Sequence, residues 1–545
     1  MAGNEQWGTR VGLVLAVAGN AVGLGNLLRF PAQAAQNGGG AFLIPYLICF
    51  LFMGIPLLWV EWAIGRHGGQ FGHHSTPGMM DKLGPQRWLK YIGVFGLFTN
   101  LCVAAYYIYI ESWTLAYIFH SLKGTFREIA PPDFFNAFVG AASPSVFYFP
   151  SEALVWFLLV LALNVLILSR GIAKGIEMVA LIGMPMLILF GIILAVRGLT
   201  TSADAPGVVQ SPLAGLNFVW EPNLGGLSNP KTWLAAAGQV FFTLSVGLGS
   251  IHCYAAYVRK EKDIALNAMA AGWTNEFVEV ILGSAIVIPI TTAYLGLEAV
   301  REATAGGSGF SLGFLALPTL FNNWGAFAPV AGGLWFGLLF VAALTSSLAM
   351  GQPMLAFFED EYEWPRNRSA IAFGVCTLCL SLVCILFFAG GAFDEFDFWT
   401  GTFSLVVFAL LELIAFVWIF GLDRGWEEIT RGADLKVPRL FRFVLHYITP
   451  TLLTIVFVGS LINPEGGNWV AAVQSLFSGG GWPLAADSVI GKVLHVGSDY
   501  RWFDEAGSPT RDLVMDGTRV LLTLVFAGIA LLIHLAWKRK KGAAA

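Results

Sequence analysis

Neutral oxygen-bearing side chains stand inside long apolar stretches of this chain. Ala342, Thr345 and Ser346 share one helix face by their i, i+3, i+4 spacing. A single Ser or Thr of this kind more often bonds to its own helix or to a neighbouring one. Several of them around one point would instead form a site for a hard cation. The candidates are Asn20, Asn26, Thr243, Ser245, Asn275, Thr345 and Ser346.

The composition indicates which elements must position these side chains. Of 545 residues, 56% are hydrophobic and 12% are charged, against roughly 25% charged in a soluble domain. The net charge of −4 provides no cationic field for nucleic acid, which is excluded as a partner. The 63 glycines favour closely packed, interrupted helices over barrel strands. The chain is therefore predicted to be an all-α polytopic membrane protein in a lipid bilayer.

Apolar runs of suitable length predict twelve transmembrane helices, called spans 1 to 12 below. If the N-terminus is inside, about two thirds of the 31 Lys and Arg residues lie in inner segments. Both termini are therefore expected in the cytoplasm. The expected location is the inner (plasma) membrane of the cell. The longer outer loops are 122–151, 198–231, 297–327 and 463–516; some are expected to carry short helices over the outer mouth. The predicted spans are 8–35, 40–66, 88–121, 152–170, 176–197, 232–257, 264–296, 328–358, 368–390, 396–421, 442–462 and 517–537.

An internal repeat divides the chain. The tetrapeptide VGLG occurs at Val22 to Gly25 in span 1 and again at Val246 to Gly249 in span 6. Because span 6 follows an odd number of spans, the second five-helix block would lie inverted relative to the first, with helices 1 and 6 broken. Two closely packed helices with small residues are the alternative explanation. The predicted units are the N-terminal segment 1–8, a first repeat 9–197, the outer loop 198–231, a second repeat 232–421, and 422–545 with spans 11 and 12, the loop 463–516 and a basic tail.

A helix broken inside the bilayer requires a ligand, because freed carbonyl and N–H groups are costly to leave unpaired in lipid. Half-helix N-termini suit a carboxylate, and unwound carbonyls suit a hard cation such as Na⁺. Charged groups within spans are functional candidates. Arg29 and Asp397 could close an outer gate through a direct or water-bridged pair, although a purely structural pair is also possible. The remaining buried carboxylates must be protonated, paired or hydrogen-bonded to backbone; they are Glu61, Glu111, Glu279 and Glu412.

Sequence motifs carry a more specific resemblance. The stretches WGTRVGL, AGNAVGLGN, LRFP, NGGGAF and EWAIGR, followed by YYIYIESWTL, RGIAKGIE, GQVFFTLSVGLG, TNEFVEVILG, LTSSLAMGQPM, FFEDE and DFWTGT, recur in order from Trp7 to about Thr449. The chain resembles the neurotransmitter:sodium symporter family, most of all its bacterial leucine-transporter branch. The tail from 463 to 515 matches poorly.

The resemblance implies two sodium ions and no organic cofactor. A first ion would be bound by the Ala21 carbonyl, by Asn26, Thr243 and Asn275, and by the carboxylate of the substrate. A second ion would be bound by five residues: the carbonyls of Gly19, Val22 and Ala342, and the hydroxyls of Thr345 and Ser346.

The resemblance also implies an amino-acid site. The substrate carboxylate would meet the Gly25 backbone and the Tyr107 hydroxyl, and the amine would meet carbonyls near Ala21, Phe242 and Ser245. Gly23 stands where monoamine carriers have an Asp, which argues for an α-amino acid. Flexible Leu248 and Met350 suggest a neutral hydrophobic L-amino acid, from leucine or methionine up to an aromatic one such as tryptophan. The implied pocket residues are Asn20, Val103, Tyr107, Phe242, Thr243, Ser245, Leu248, Ser346 and Met350.

Two further positions modify the expected mechanism. Glu279 stands where chloride-dependent relatives have a Ser, so transport is expected to be chloride-independent, with proton antiport through Glu279 as a possibility. The inner gate is expected at Trp7, Tyr257, Gln352 and Asp360. Its usual N-terminal Arg is Asn4 here and Ala256 replaces a Ser, so Trp7 is expected to contribute more, with Arg10 a candidate to compensate.

Sodium-coupled symport into the cell by alternating access is thus the predicted function. An enzyme is not supported, because the eight His residues are scattered and the Glu residues sit on separate spans. The six cysteines, including those of the CTLC sequence at 376 to 379, suggest packing residues and no metal clip. A sodium-dependent amino-acid-sensing receptor or an ion channel on the same scaffold stays open. A homodimer is suggested by the resemblance alone.

Overall fold

A computed structural model describes residues 6–305 and 310–544. Within these residues the chain is helical, and pairing of extended backbone is limited to two isolated bridges. Ten helices are long and apolar enough to cross a membrane, and the bent pair at span 1 makes an eleventh. The interrupted pair of span 6 completes the twelve predicted spans. Their bounds are Arg10–Ala21 with Gly25–Gln36, Gly40–Gly69, Leu89–Lys123, Ser151–Ser169, Ile172–Leu199, Pro230–Leu244 with Ser250–Ala256, Ala265–Leu295, Ala328–Tyr362, Arg366–Leu386, Ala392–Thr430, Leu440–Ile462 and Arg511–Ala544.

The predicted break in span 1 is present. The first half-helix ends at Ala21, and the second begins at Gly25 with its axis bent by 50°. Val22 leaves helical geometry at φ −72° and ψ 88°, although its N–H still donates to the Ala18 carbonyl at 2.6 Å. The next two N–H groups at this bend have side-chain partners in place of helical ones, because Gly23 donates to the Asn26 side chain and Leu24 donates to the Tyr107 hydroxyl.

The predicted break in span 6 is also present, and it is built differently. Ser245 and Gly247 have φ values of 54° and 74°, and Gly249 has 97°. A side chain at Gly247 would collide with the Leu405 carbonyl of span 10. The left-handed backbone and this close approach both require glycine. Neither half-helix, of 15 and 7 residues, is long enough to span a bilayer alone.

The spans form a packed centre and an exposed periphery. Spans 3 and 8 make the most extensive helix contact in the molecule. The apolar window of span 3 is 89% buried, whereas that of span 12 is 22% buried. Spans 4, 5, 11 and 12 therefore present apolar side chains to lipid, and the interrupted helices lie among the buried ones. The boundaries of the two repeats, 9–197 and 232–421, stay a prediction.

Span 12 extends beyond its predicted limit, because it begins at Arg511 and not at 517. The helix continues there through charged residues, so the hydropathy pattern marks only the apolar part. Span 10 leaves helical geometry at Gly421, its predicted end, where φ is 98° and ψ is 129°, and the short helix Leu422–Thr430 follows. The predicted short helices over the outer loops are present. They are Pro131–Val139, Pro212–Trp220, Leu297–Ala305, Leu317–Phe321, Trp469–Phe477 and Val489–Val493.

Candidate functional site

The two breaks face each other at the centre of the molecule. The Ser245 hydroxyl donates to the Asn20 carbonyl at 3.1 Å. The Asn20 amide donates to the Ser250 hydroxyl at 3.0 Å, so span 1 is tied to both halves of span 6. These contacts hold two sets of freed backbone groups around one small volume, as predicted from the repeated tetrapeptide.

The residues predicted for the first sodium site lie together. The Asn26 amide donates to the Asn275 carbonyl oxygen at 2.7 Å and to the Thr243 hydroxyl at 2.8 Å. When the Asn275 side-chain amide is turned over, its nitrogen donates to the Ala21 carbonyl at 3.1 Å, and this contact replaces the hydrogen bond from Asn26 to Asn275. All four residues are buried. The cluster consists of amide, hydroxyl and carbonyl oxygens, a donor set that suits a hard cation.

Glu279 belongs to the same cluster. Its carboxylate accepts from Gln239 at 2.6 Å and from Asn26 at 3.1 Å, and it also accepts from the Thr243 hydroxyl. The side chain is fully buried. A negative charge on this carboxylate would therefore lie next to any cation bound by Asn26 and Thr243, where its attraction is little screened.

The residues predicted for the second sodium site also meet, except at one position. The Ser346 hydroxyl lies 3.2 Å from the Gly19 carbonyl and 3.0 Å from the Ala342 carbonyl, and the Thr345 hydroxyl lies 3.1 Å from the latter. A side chain at Gly19 would press against Thr345. Val22 caps the adjacent half-helix, and none of its contacts joins it to these hydroxyls.

A cavity of about 40 Å³ lies between the breaks. The predicted pocket residues line it, with the exception of Thr243, which is buried behind it in the cation cluster. Tyr106, Gly401 and Leu405 were not predicted as lining residues, although Tyr106 and Gly401 stand inside recognised motifs. The lining residues are Asn20, Ala21, Gly23, Gly25, Asn26, Val103, Tyr106, Tyr107, Phe242, Ser245, Leu248, Ser346, Met350, Gly401 and Leu405.

Tyr107 closes the side of this cavity next to the first break. Its hydroxyl accepts from the Leu24 N–H at 3.0 Å. A Cβ at Gly23 would lie 2.7 Å from the same hydroxyl, and a Cβ at Gly25 would overlap the Phe242 ring. Both glycines are therefore needed for this packing, and an Asp at position 23 would displace Tyr107.

The predicted outer gate residues lie above the cavity without direct contact. The Arg29 guanidinium stacks 4.5 Å from the centre of the Phe242 ring, and Asp397 accepts from the Tyr106 hydroxyl at 2.8 Å. Among the described residues, no ion pair within 4.0 Å joins Arg29 to Asp397, so the water-bridged form of the gate stays a prediction. A second, outer cavity of about 490 Å³ begins above Phe242 and is also lined by Lys231 and Asp487.

The residues predicted for the inner gate make aromatic and polar contacts. The Trp7 indole donates to the Tyr254 carbonyl at 3.0 Å, and the Gln352 amide donates to the Tyr257 hydroxyl at 3.1 Å. Asp360 is bound by His74, a residue that was not predicted. Arg10 does not compensate at Asp360, because its guanidinium bonds to Asn267 and Asp434. Asn4 lies outside the described residues.

The buried carboxylates of spans 2 and 10 lie on either side of a buried histidine of span 6. The Glu61 carboxylate accepts from the Gly247 N–H at 2.6 Å, within the break of span 6. It also lies 3.4 Å from the His252 imidazole, which lies 3.2 Å from Glu412. Reading the His residues as scattered was therefore wrong for His252, because three separate spans bring these side chains together.

Comparison with known proteins identifies the family. The sequence model of the Sodium:neurotransmitter symporter family matches residues 4–128 and 146–494. The chain is 28% identical to an uncharacterized sodium-dependent transporter of Methanocaldococcus jannaschii, over 83% of this chain and 89% of that one. It is 26% identical to the sodium-dependent nutrient amino acid transporter 1 of Drosophila melanogaster, over 85% of this chain and 78% of that one.

A solved structure supports the same assignment. The crystal structure of MhsT in complex with L-phenylalanine superposes with a TM-score of 0.70 at 30% identity, covering 83% of this chain and 99% of MhsT. Both the motif order and the tertiary structure thus agree with the resemblance seen in the sequence. The chain belongs to the sodium:neurotransmitter symporter family, a family of sodium-coupled membrane transporters and not of enzymes.

Proposed function

We propose that the protein carries a neutral hydrophobic L-amino acid into the cell together with Na⁺, by alternating access. The observation that carries this proposal is the cavity between the two breaks, whose lining contains no Asp, Glu, Lys or Arg within the described residues. A charged substrate side chain would be left unpaired there, at high cost. The freed backbone and the oxygen cluster beside it suit the charged ends of a zwitterion and a cation.

Gly23 supports a substrate that brings its own carboxylate. The Tyr107 hydroxyl occupies the space that a side chain at position 23 would need. The protein therefore provides no carboxylate of its own next to the first sodium site on that side of the cavity. An α-amino acid completes the coordination of the cation with its own carboxylate, and a simple amine does not.

The size of the preferred side chain is proposed from Leu248 and Met350. Both line the cavity, and both are flexible, so they can adapt to leucine, methionine or a larger ring. The complex of MhsT with L-phenylalanine is consistent with an aromatic substrate. Tryptophan and phenylalanine are therefore included in the proposed range, together with leucine.

Two Na⁺ ions are proposed to drive uptake. One would be held by Ala21, Asn26, Thr243 and Asn275, and the other by Gly19, Ala342, Thr345 and Ser346 with the Val22 carbonyl. Each ion that enters down about 100 mV gains roughly 2.3 kcal/mol, and a tenfold gradient adds about 1.4 kcal/mol. Two ions would supply about 7 kcal/mol, which limits accumulation to roughly 10⁵-fold.

Chloride is proposed to be unnecessary. Glu279 contacts Asn26 and Thr243 of the first cation cluster, so its carboxylate is placed to supply the negative charge that an anion would otherwise bring. The membrane orientation proposed for this cycle has both termini in the cytoplasm, with the cavity above Phe242 on the outer side.

The test is uptake of a labelled amino-acid panel into proteoliposomes, with Na⁺ or K⁺ outside and with chloride or gluconate. Concentrative uptake that needs Na⁺, ignores chloride and is competed by leucine or tryptophan is expected. Equal uptake of a charged amino acid would contradict the proposed substrate class. Sodium-dependent binding without accumulation would favour a receptor, and indifference to Na⁺ would overturn both assigned cation sites.

A further inference from the structure

A buried cluster of three ionisable side chains lies away from the substrate cavity. Glu61 of span 2, His252 of span 6 and Glu412 of span 10 are each fully buried. One potential ligand atom from each lies within 4.8 Å of the others. None of the three lines the cavity between the breaks, and none contacts the residues assigned to sodium. The proposed transport cycle leaves this cluster without a role.

The arrangement of the imidazole indicates what the cluster binds. The Nδ1 atom of His252 faces Glu61 at 3.4 Å, and the Nε2 atom faces Glu412 at 3.2 Å. The lone pairs of the two nitrogens point in different directions, so one metal ion can bind only one of them. A protonated imidazole, by contrast, presents an N–H toward each carboxylate. Opposite nitrogens facing opposite carboxylates therefore favour protons over a metal ion.

The charge of the cluster also requires bound protons. Without them, two carboxylates would place two negative charges in the membrane interior, which is costly unless compensated. One carboxyl oxygen of Glu61 lies within 4.8 Å of one of Glu412, and two negative charges at this separation repel each other strongly unless one group is protonated. Neither contact of the imidazole is aligned as a hydrogen bond, and five polar atoms of the cluster lack a hydrogen-bond partner. These side chains can therefore form further hydrogen bonds when a proton binds.

Within the described residues, the titratable groups that face the His252 ring are Glu61 and Glu412. The ring also packs beside Phe408, with ring centres 5.8 Å apart. On span 1, the uncharged Asn20 contacts the half-helix of His252 at Ser250. On span 8, the uncharged Gln352 contacts Tyr257, directly after that half-helix.

One hydrogen bond connects the cluster to the broken helix of span 6. The second oxygen of Glu61 accepts from the Gly247 N–H, and Gly247 precedes Leu248, which lines the substrate cavity. A hydrogen bond to an ionised carboxylate is roughly twice as strong as one to a neutral carboxyl group. The protonation state of the cluster therefore changes how firmly the break of span 6 is held.

We infer that Glu61, His252 and Glu412 form a proton-binding site that is separate from Glu279 and is coupled to the break of span 6. Protons would bind and leave as this break moves, so that part of the pH dependence of the protein originates here. The site itself does not depend on the substrate assignment, because it is defined by groups outside the cavity.

The first test is independent of transport. Purified protein in lipid is titrated with acid while its infrared carboxylic-acid C=O absorption is recorded. A component present at neutral pH is expected to disappear in Glu61→Gln or Glu412→Gln and to titrate at a different pH in His252→Gln. Glu111→Gln serves as the matched control, because Glu111 is also fully buried but is held by Asn164 at 3.1 Å. Spectral changes in Glu111→Gln alone would overturn the inference.

The second test measures coupling. The pH profile of Na⁺-driven uptake is compared between the unmodified protein, His252→Gln and Glu111→Gln, together with the metal content of each. An inflection that is lost in His252→Gln and kept in Glu111→Gln is expected, with no stoichiometric metal present. Identical profiles in His252→Gln and the unmodified protein would refute the coupling. If the unmodified protein holds one zinc ion per chain and His252→Gln holds none, the cluster is a metal site and not a proton site. Absence of any uptake, with the infrared result intact, would count against the proposed function and not against the site.

Discussion

Asp360 at the inner end of span 8 is held by His74 of the first inner loop. The backbone N–H of His74 donates to the carboxylate at 2.6 Å, and its imidazole lies 3.2 Å from the same group. The His74 ring also stacks on Tyr257, with ring centres 4.3 Å apart. Two predicted inner-gate residues, Asp360 and Tyr257, thus contact the same histidine, which lies outside the N-terminal segment where a basic partner of Asp360 was expected.

Replacing His74 by Ala is expected to weaken the inner gate. The backbone N–H contact to Asp360 remains, but the imidazole contact and the stacking on Tyr257 are lost. Cys253, buried above this gate, is then expected to react faster with a membrane-permeant maleimide, as followed by mass spectrometry of the labelled peptide. His534→Ala is the control, since that imidazole bonds to Tyr91 on the exposed surface. Equal labelling of Cys253 in all three proteins would show that His74 does not support closure.

Replacing Gly23 by Ala is expected to impair substrate binding. The added methyl group would lie 2.7 Å from the Tyr107 hydroxyl, and overpacking of this kind costs about 1–3 kcal/mol, which corresponds to about 5-fold to 150-fold in affinity. The measurement is Na⁺-dependent binding of labelled leucine. Gly238→Ala is a matched control in span 6, because nothing lies within 4 Å of the added atom. Unchanged binding by Gly23→Ala would contradict the placement of the substrate beside Tyr107.

Replacing Glu279 by Ser is expected to make uptake depend on chloride. The variant removes the carboxylate that Gln239, Asn26 and Thr243 now contact, so an anion is needed to restore the negative charge. Uptake with chloride and with gluconate outside gives the answer. Glu111→Ser, which removes a buried carboxylate that is held by Asn164 of span 4, should show no such dependence. If Glu279→Ser works equally well in gluconate, Glu279 does not substitute for an anion.

Replacing Met350 by Phe is expected to shift selectivity toward small substrates. Met350 is buried and lines the cavity of about 40 Å³. A flexible Met side chain can move aside for a large substrate, whereas the rigid ring of Phe would occupy that space. Competition by tryptophan should fall about tenfold or more relative to competition by leucine. Met354→Phe, one turn further along span 8 and outside the lining residues, is the comparison. Parallel losses for both amino acids would indicate general misfolding of the pocket.

Replacing Arg519 by Met is expected to destabilise the outer side of the protein. Arg519 lies 2.6 Å from the carboxylate of Glu395, which is 1% exposed and is also paired with Lys492 at 3.2 Å. Breaking a buried pair costs about 3–5 kcal/mol, and Lys492 is expected to compensate for part of this. The readout is the thermal unfolding midpoint in detergent.

Two variants test the origin of that effect. Arg511→Met removes an arginine of the same helix that is 65% exposed and 3.8 Å from Asp394, so little change is expected. The double variant Arg519→Met with Lys492→Met should be less stable than Arg519→Met alone, because the Glu395 carboxylate then stays buried without either cation. A double variant as stable as Arg519→Met alone would argue against the pairing of Glu395 as the cause.

Much of the candidate site could be predicted from the sequence, because short sequence motifs mark its residues. The VGLG pairs at Val22 and Val246 mark the two breaks, since glycine permits backbone that other residues resist. The clustering of Asn26, Thr243 and Asn275 followed from family motifs whose order and spacing are specific. The start of span 12 was less accurately placed, because Arg511 and Asp512 interrupt the hydropathy pattern but not the helix.

The residues that were missed are those brought in from distant segments. His74 reaches Asp360 across 286 positions, and Leu405 becomes part of the cavity only because span 10 packs against Gly247. Neither residue has a neighbour in sequence that marks its role. Even the loop of 463–516, to which no chemistry was assigned, places Lys492 against Glu395, two positions before Asp397.

Composition, hydropathy and motif order therefore suffice for the class, the spans, the breaks and the family, because these depend on free energies of transfer into lipid and on backbone preferences of single segments. Pairings between spans are different in kind. His252 lies between Glu61 and Glu412 because three helices pack together at one level of the molecule. Hydropathy does not report how each helix is rotated about its axis, so it could not predict this contact. Only the tertiary packing decides which polar groups share a buried site, since burial makes each of them depend on its neighbours for charge and hydrogen bonds.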